Sequence, residues 1–447
     1  PLSLIPSGDV RAPTFLAPVV PGTELPFELR VFDGRAWSTP SRVTHVVTRS
    51  DFTHVFVSAN TTCGETCDGS RARPFRQLQP AVSPVLGENP PREVAVASGT
   101  YGVVTVPDGV TLEGGCDPVS WLCTGATGPS TIAAGANDPV AVSLTARTGA
   151  PPSVLRRFSV HASAGGGTTA QAFGVYCNGC RTTIEDVTID ARGDAAPVTT
   201  SEAMLVGNTA GPVVIRRVVA TAGRATGNYA LDIASSSDVL VTDSTFTTRP
   251  RARAGVANSN STLVFSGDGG NVRLVGNRVV AEGDSSVSDS HFAYFYGSLG
   301  VTFSSNLFWF RATTRSVHQC CGAEQTANTG LMFQNTGNVL FTNDTFLGNA
   351  TACSDNIGYG LARTSWPWSG ASSGTNVFRN NYVENFRNVQ SGDGANFQGF
   401  SNTFFGVPEF VCASFVGCST VDQLNAPATF SRVVAGSGNR TEDCRLV

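Results

Sequence analysis

The chain has 447 residues, a net charge of −4 and 14% charged residues, where globular chains carry about 25%. All 30 cationic side chains are arginine, which excludes lysine Schiff bases, lysine general bases and lysine isopeptide cross-links. There is no basic excess to suggest nucleic acid and no apolar run near the ~18 residues of a membrane span.

In chain order, residues 1–48 come first and read as β. Segments 12–18, 25–34 and 41–48 have strand character, with turn signals at Pro21-Gly22 and Asp33-Gly34. Residues 27–33 and 43–48 resemble the last two strands of a PKD-type immunoglobulin-like domain whose first half is missing. Half a sandwich leaves one apolar face and open strand edges. Here that face would carry Phe15, Leu25, Phe27, Leu29, Val31, Val43 and Val46. The segment is therefore expected to pack on the rest of the chain, to associate with another copy, or to belong to a longer precursor. A secretion signal is expected to have been removed already, since no basic and then apolar leader opens the chain.

Residues 49–410 read as a solenoid with its own N-terminal cap. After a first strand at 54–57, Phe75, Leu78, Ala81 and Val82 fall at helical spacing, predicting an amphipathic helix of about two or three turns over the open end. Segments 94–96, 99–101, 103–106 and 110–115 read as the first coils. From Leu155 onward one phrase recurs, an apolar residue followed five positions later by another. The pairs are Leu155/Val160, Ile184/Ile189, Ile215/Ala220, Val241/Phe246, Leu274/Val279, Phe303/Phe308, Phe341/Phe346, Val377/Tyr382 and Gly399/Phe404, spaced 22 to 38 residues apart. Two residues before the second member stand Ser244, Asn277, Asn306, Asp344, Asn380 and Asn402. These residue types tolerate left-handed backbone and bond their own main chain, so a bend is expected there. A strand, a bend, a second strand and a loop make one coil, and such a repeat period marks a solenoid. A propeller blade would need about four strands in about 40 residues.

The Asn-bearing bend and the interior apolar ladder resemble the right-handed parallel β-helix of the pectate-lyase-like superfamily, over about residues 54–410. The resemblance implies an all-β fold of about a dozen coils. At about 4.8 Å per stacked strand the body would be on the order of 55–60 Å long. It implies no single activity, because lyases, hydrolases, adhesins and phage fibres share the fold. Residues 411–447 are expected to form a C-terminal cap containing a disulfide.

Twelve cysteines place the compartment. Cys63/Cys67, Cys116/Cys123, Cys177/Cys180 and Cys412/Cys418 are close in sequence, and Cys353 is expected to bond Cys320 or Cys321, with the partner of Cys444 open. Cys177-Asn-Gly-Cys180 has the spacing of half a zinc site, but no second cysteine or histidine pair answers it. Disulfides are the expected state, and they imply a secreted, extracellular or cell-surface protein.

Chemistry is harder to read. The histidines 45, 54, 161, 291 and 318 show no metal-ligand spacing and no G-x-S-x-G elbow is present. Gly267-Asp-Gly-Gly and Gly392-Asp-Gly are too short for a calcium loop, so no metal or cofactor is expected; Ca²⁺ has no motif behind it. The Asn-Thr-Asp, Asp-Asp and Gly-His-Gly phrases of polygalacturonase-like β-helices are also absent. The two longest, adjacent intervals supply the candidate glycan-binding face: Arg311, Arg315 and His318, then Asp355, Tyr359, Trp366 and Trp368. Asp284, Asp289 and His291 on the preceding coil extend it. The leading expectation is a non-catalytic surface or matrix protein that binds a polysaccharide or cell-surface glycan, or self-associates into fibres through residues 1–48. The alternative is a polysaccharide lyase or glycoside hydrolase acting on the long-loop face.

Overall fold

Short alternating segments separated by small polar bends settle as parallel strands when each coil offers the next a full edge of main-chain partners. The computed structural model describes residues 24–29, 38–46, 53–83, 92–135, 138–147, 149–163, 171–193, 200–249, 259–267, 269–283, 289–297, 300–312, 328–334, 337–348, 375–384, 388–390, 396–405, 409–411, 417–418 and 433–437. The chain divides into two compact units, Pro1–Thr53 and His54–Val447.

The larger unit is a parallel β-helix whose coils supply three parallel sheets of 13, 11 and 8 strands. The first runs from Thr53–Val57 to Val433–Ser437, the second from Gly99–Tyr101 to Thr403–Phe405, the third from Val104–Pro107 to Asn328–Gln334. Val433–Ser437 pairs in parallel with Asn396–Phe400, so the first sheet extends into the C-terminal segment. In the smaller unit Glu24–Leu29 and Ser41–Val46 form an antiparallel pair, with Phe27 opposite Val43. The strand expected at 12–18 lies outside the described residues.

Register carries the ladder. Leu155, Ile184, Ile215, Val241, Leu274, Phe303 and Phe341 stack in the first sheet, and Val160, Ile189, Ala220, Phe246, Val279, Phe308 and Phe346 in the second. All of these side chains are buried. Phe303 stacks on Phe341 at 4.6 Å between ring centroids, and Phe308 on Phe346 at 4.6 Å.

One coil departs from the expected phase. The pair there is Phe378/Val383, not Val377/Tyr382, and the polar residue is Asn381, not Asn380. Spacing alone left both phases open because apolar and Asn residues come in adjacent pairs. Ring stacking decides it: Phe378 lies 4.8 Å from Phe341 with planes 3° apart.

The bend also differs from expectation. The left-handed residue is the one before the ladder residue: Asp243 (φ 50), Gly276 (φ 67), Ser305 (φ 59), Asn343 (φ 57), Asn380 (φ 53) and Ser401 (φ 52). The ladder side chains instead bond along the solenoid axis. Asn277 and Asn381 accept from the backbone N–H of Ser244 and Asp344, Asn306 and Asn402 from those of Asn277 and Asn381. In earlier coils the ladder position is filled by buried Phe158, Val187 and Val218, and the bend by Arg157, Asp186 and Arg217. Glu113 pairs with Arg156 and Arg157, and Glu185 with Arg216 and Arg217, across adjacent coils.

The capping helix is shorter than its periodicity predicts. It spans Leu78–Val82, and Leu78, Ala81 and Val82 are buried. Phe75 instead bridges Val57 as part of the edge cover of the first strand. Ser83 is extended (ψ 138), as expected for a residue preceding a proline, which disfavours helical backbone.

Candidate functional site

Three central strands of the third sheet break simple alternation by turning two successive residues into the core. In Thr200–Gly207 both Ala203 and Met204 are buried in the core, so Glu202 and Leu205 lie on the side away from it. Gln171–Asn178 does the same with Phe173 and Tyr176 around Gly174 and Val175, and Gly227–Ala234 with Tyr229 and Asp232 around Ala230 and Leu231. A Cβ on Gly174 would run into the Ile189 side chain and the Ala203 carbonyl, so only glycine lets the strand close onto its neighbour there.

Parallel register aligns these outward residues in two rows. Phe173, Glu202, Tyr229, Ser261 and His291 form one, and Tyr176, Leu205, Asp232, Val264 and Tyr294 the other. Phe173 and Tyr176 meet edge to face at 5.6 Å, and His291 stacks with Tyr294 at 6.3 Å. The Cys177–Cys180 disulfide closes the end of the strand that bears Phe173 and Tyr176.

Two carboxylates stand on adjacent strands of this face. Glu202 is 7% exposed, and its Oε2 and the Oδ1 of Asp232 are buried with no hydrogen-bond partner among the described residues. A buried carboxylate without donors is better accommodated neutral. Burial, and then the neighbouring charge of Asp232, push Glu202 up to about 8. Burial pushes Asp232 up to about 6. Tyr294 is also raised, by burial first and then by Tyr296 and Tyr229. Asp232 pairs with Leu205, three residues beyond Glu202, so the acids sit diagonally. One strand across and three residues along separate the two Cα atoms by about 11 Å. At pH 7 this arrangement supplies a proton donor in Glu202 and an acceptor in Asp232.

His291 belongs to this face and is buried. Arg311 does not: it lies on the second sheet, 5.8 Å over the Trp309 ring and 4.0 Å from Glu282. Asp289 begins a strand of the third sheet. Arg315, His318, Asp355, Tyr359, Trp366, Trp368, Asp284, Cys320, Cys321, Cys353 and Cys412 lie outside the described residues, and Cys418 is in the strand Gly417–Cys418. Cys63–Cys67, Cys116–Cys123 and Cys177–Cys180 are disulfides as expected. Among the described residues no three His, Cys, Asp or Glu side chains converge on a metal position, and no helix is long and apolar enough to cross a membrane.

Sequence reasoning missed Glu202 and Asp232. Their signal was present: an acid inside the otherwise small and apolar strands Ser201-Glu202-Ala203-Met204 and Leu231-Asp232-Ile233, about one coil apart.

No protein-family model matches the chain, and no curated protein matches it. Solved structures similar to it include a GH136 lacto-N-biosidase from Eubacterium ramulus, at 9% identity and TM-score 0.41 over 87% of this chain and 67% of that one. Others are the catalytic domain of a GH87 α-1,3-glucanase in complex with tetrasaccharides (11%, 0.40, 78% and 64%) and PfbA, a surface adhesin of Streptococcus pneumoniae (14%, 0.36, 80% and 86%). The chain spans about two thirds of the length of the two enzyme structures. The fold assignment rests on the sheet topology and register above.

Proposed function

We propose that this protein is an extracellular glycoside hydrolase that uses Glu202 as general acid and Asp232 as general base. The observation that carries the reading is the pair itself: a buried Glu202 and a half-buried Asp232 on adjacent strands, each with a buried oxygen that has no hydrogen-bond partner among the described residues, set among aromatic side chains. Environments that push two acids apart in pKa assign the acid and the base. Glu202 gives its proton to the glycosidic oxygen as the C1–O bond breaks. Asp232 takes a proton from water as that water's oxygen bonds C1, so one water is consumed. Solvent then returns a proton to Glu202 and removes one from Asp232.

The disulfides support the extracellular setting. Trp366 and Trp368 are proposed as further sugar-stacking groups. The test is hydrolysis of a panel of polysaccharides and aryl glycosides by the wild type, Glu202→Gln and Asp232→Asn. Asp232→Asn should lose activity on all substrates by at least about 100-fold. Glu202→Gln should lose it on natural glycans and retain much of it on aryl glycosides whose leaving group needs no proton. Glycan binding without turnover by the wild type would return the non-catalytic surface-protein reading.

A further inference from the structure

Resting on that reading, we infer that the outward face of the third sheet is a two-sided cleft for an uncharged polysaccharide, cut at internal bonds. Two independent features of the face point there, its aromatic spacing and its charge.

Tyr176, Asp232 and Tyr294 lie in one register row, with Leu205 and Val264 between them. Each tyrosine is therefore two strands from Asp232, about 10 Å to either side. Both are half-buried and Tyr296, on the same strand as Tyr294, is 49% exposed. Flat aromatic faces flanking the reacting carboxylates on both sides give a sugar chain footholds before and after the bond to be cut. A site that removed terminal units would need only one side. The buried Glu202, with an unpartnered oxygen, stands in the parallel row between Phe173 and Tyr229.

The charge pattern of the described strands disfavours one large substrate class. The strands of the first and second sheets carry nine arginines between them. The eight strands of the third sheet carry none, and the chain has no lysine. A uronate chain brings one carboxylate per sugar, and its recognition calls for guanidinium or ammonium partners. Placed across this face, such a chain meets the carboxylate of Asp232 and no strand-borne arginine or lysine. A neutral chain meets hydroxyl-compatible acids and aromatic faces.

The experiment uses the full chain. Neutral α- and β-glucans, a galactan and an oligogalacturonate, each as a length series, are offered to the wild type for cleavage and to Glu202→Gln for calorimetric binding. The expected result is binding of a neutral chain that strengthens with length, and early products of intermediate size. Tyr176→Ala and Tyr294→Ala should each weaken binding about three- to tenfold, while Tyr→Phe at either position preserves it. Preference for the oligogalacturonate, binding indifferent to both alanine changes, or no polymer bound at all would overturn the inference. Terminal units as the first products would overturn its two-sided character while leaving hydrolysis by Glu202 and Asp232 intact. Binding of neutral chains that depends on both tyrosines, without any cleavage, would support the cleft and remove the hydrolase reading instead.

Discussion

Asp344 is the residue at which the axial ladder changes chemistry. Its Oδ1 accepts from both the backbone N–H and the Nδ2 of Asn306, at 2.7 and 2.9 Å, and its Oδ2 accepts from the Thr342 N–H. The ladder asparagines 277, 306, 381 and 402 each give an amide hydrogen to a carbonyl of an earlier strand, at Val241, Leu274, Phe341 and Phe378. An ionised aspartate has no such hydrogen to give. Burial raises Asp344 to about 7 despite these donors. A carboxyl group whose pKa is raised by folding adds stability in its protonated form. That contribution is complete below the unfolded value near 4 and is lost as pH rises through about 7. Glu202 and Asp232 have the same sign, with windows closing near 8 and 6. Thermal unfolding should therefore show a melting temperature that falls between pH 4.5 and 8. Asp344→Asn should flatten that slope and stabilise the protein at pH 8 by about 1–3 kcal/mol. An unchanged slope in this variant would mean that Asp344 is ionised throughout.

At the scale of the strand, what could be read from sequence was what points inward. The interior columns must be apolar at a fixed phase in every coil, so Leu155 to Phe346 could be placed by spacing alone. The 377–383 coil defeated spacing, because Val377-Phe378 and Asn380-Asn381 each offer two phases, and contact with Phe341 selects one. Outward positions of the third sheet repeat no chemistry from coil to coil. Glu202 and Asp232 fall out of phase by three residues, so a search for acids at equivalent positions passes over them. The helix at 78–82 shows the same limit, since periodicity marked its buried side and could not see Phe75 recruited into edge pairing. Phe308 sits between Phe303 and Phe346 with its side chain fully buried. Phe308→Ala should cost about 3–5 kcal/mol in denaturant unfolding. A cost under about 1 kcal/mol would show that the column does not hold the coils together.

For the whole molecule, the three sheets divide the work. The first carries the ion pairs of Glu113 and Glu185 with arginine, the third carries the carboxylate pair, and the apolar columns and the axial ladder join successive coils. The N-terminal unit contributes an antiparallel strand pair, Glu24–Leu29 with Ser41–Val46. Two strands alone are marginal in water, and open edges template further pairing. We propose that residues 1–48 mediate association between copies. Size exclusion should then show the full chain growing with concentration and a chain beginning at Asp51 remaining monomeric; identical behaviour of the two would dismiss this role.

The central claim is that Glu202 is the acid and Asp232 the base. It is tested most directly by the pH dependence of kcat/KM on a cleaved polysaccharide. The account predicts a bell with an ascending limb near pH 6 and a descending limb near pH 8. In Glu202→Gln, assayed on an aryl glycoside, the descending limb should disappear and the ascending limb should persist. A wild-type profile without these limbs, or one unchanged by Glu202→Gln, would contradict it.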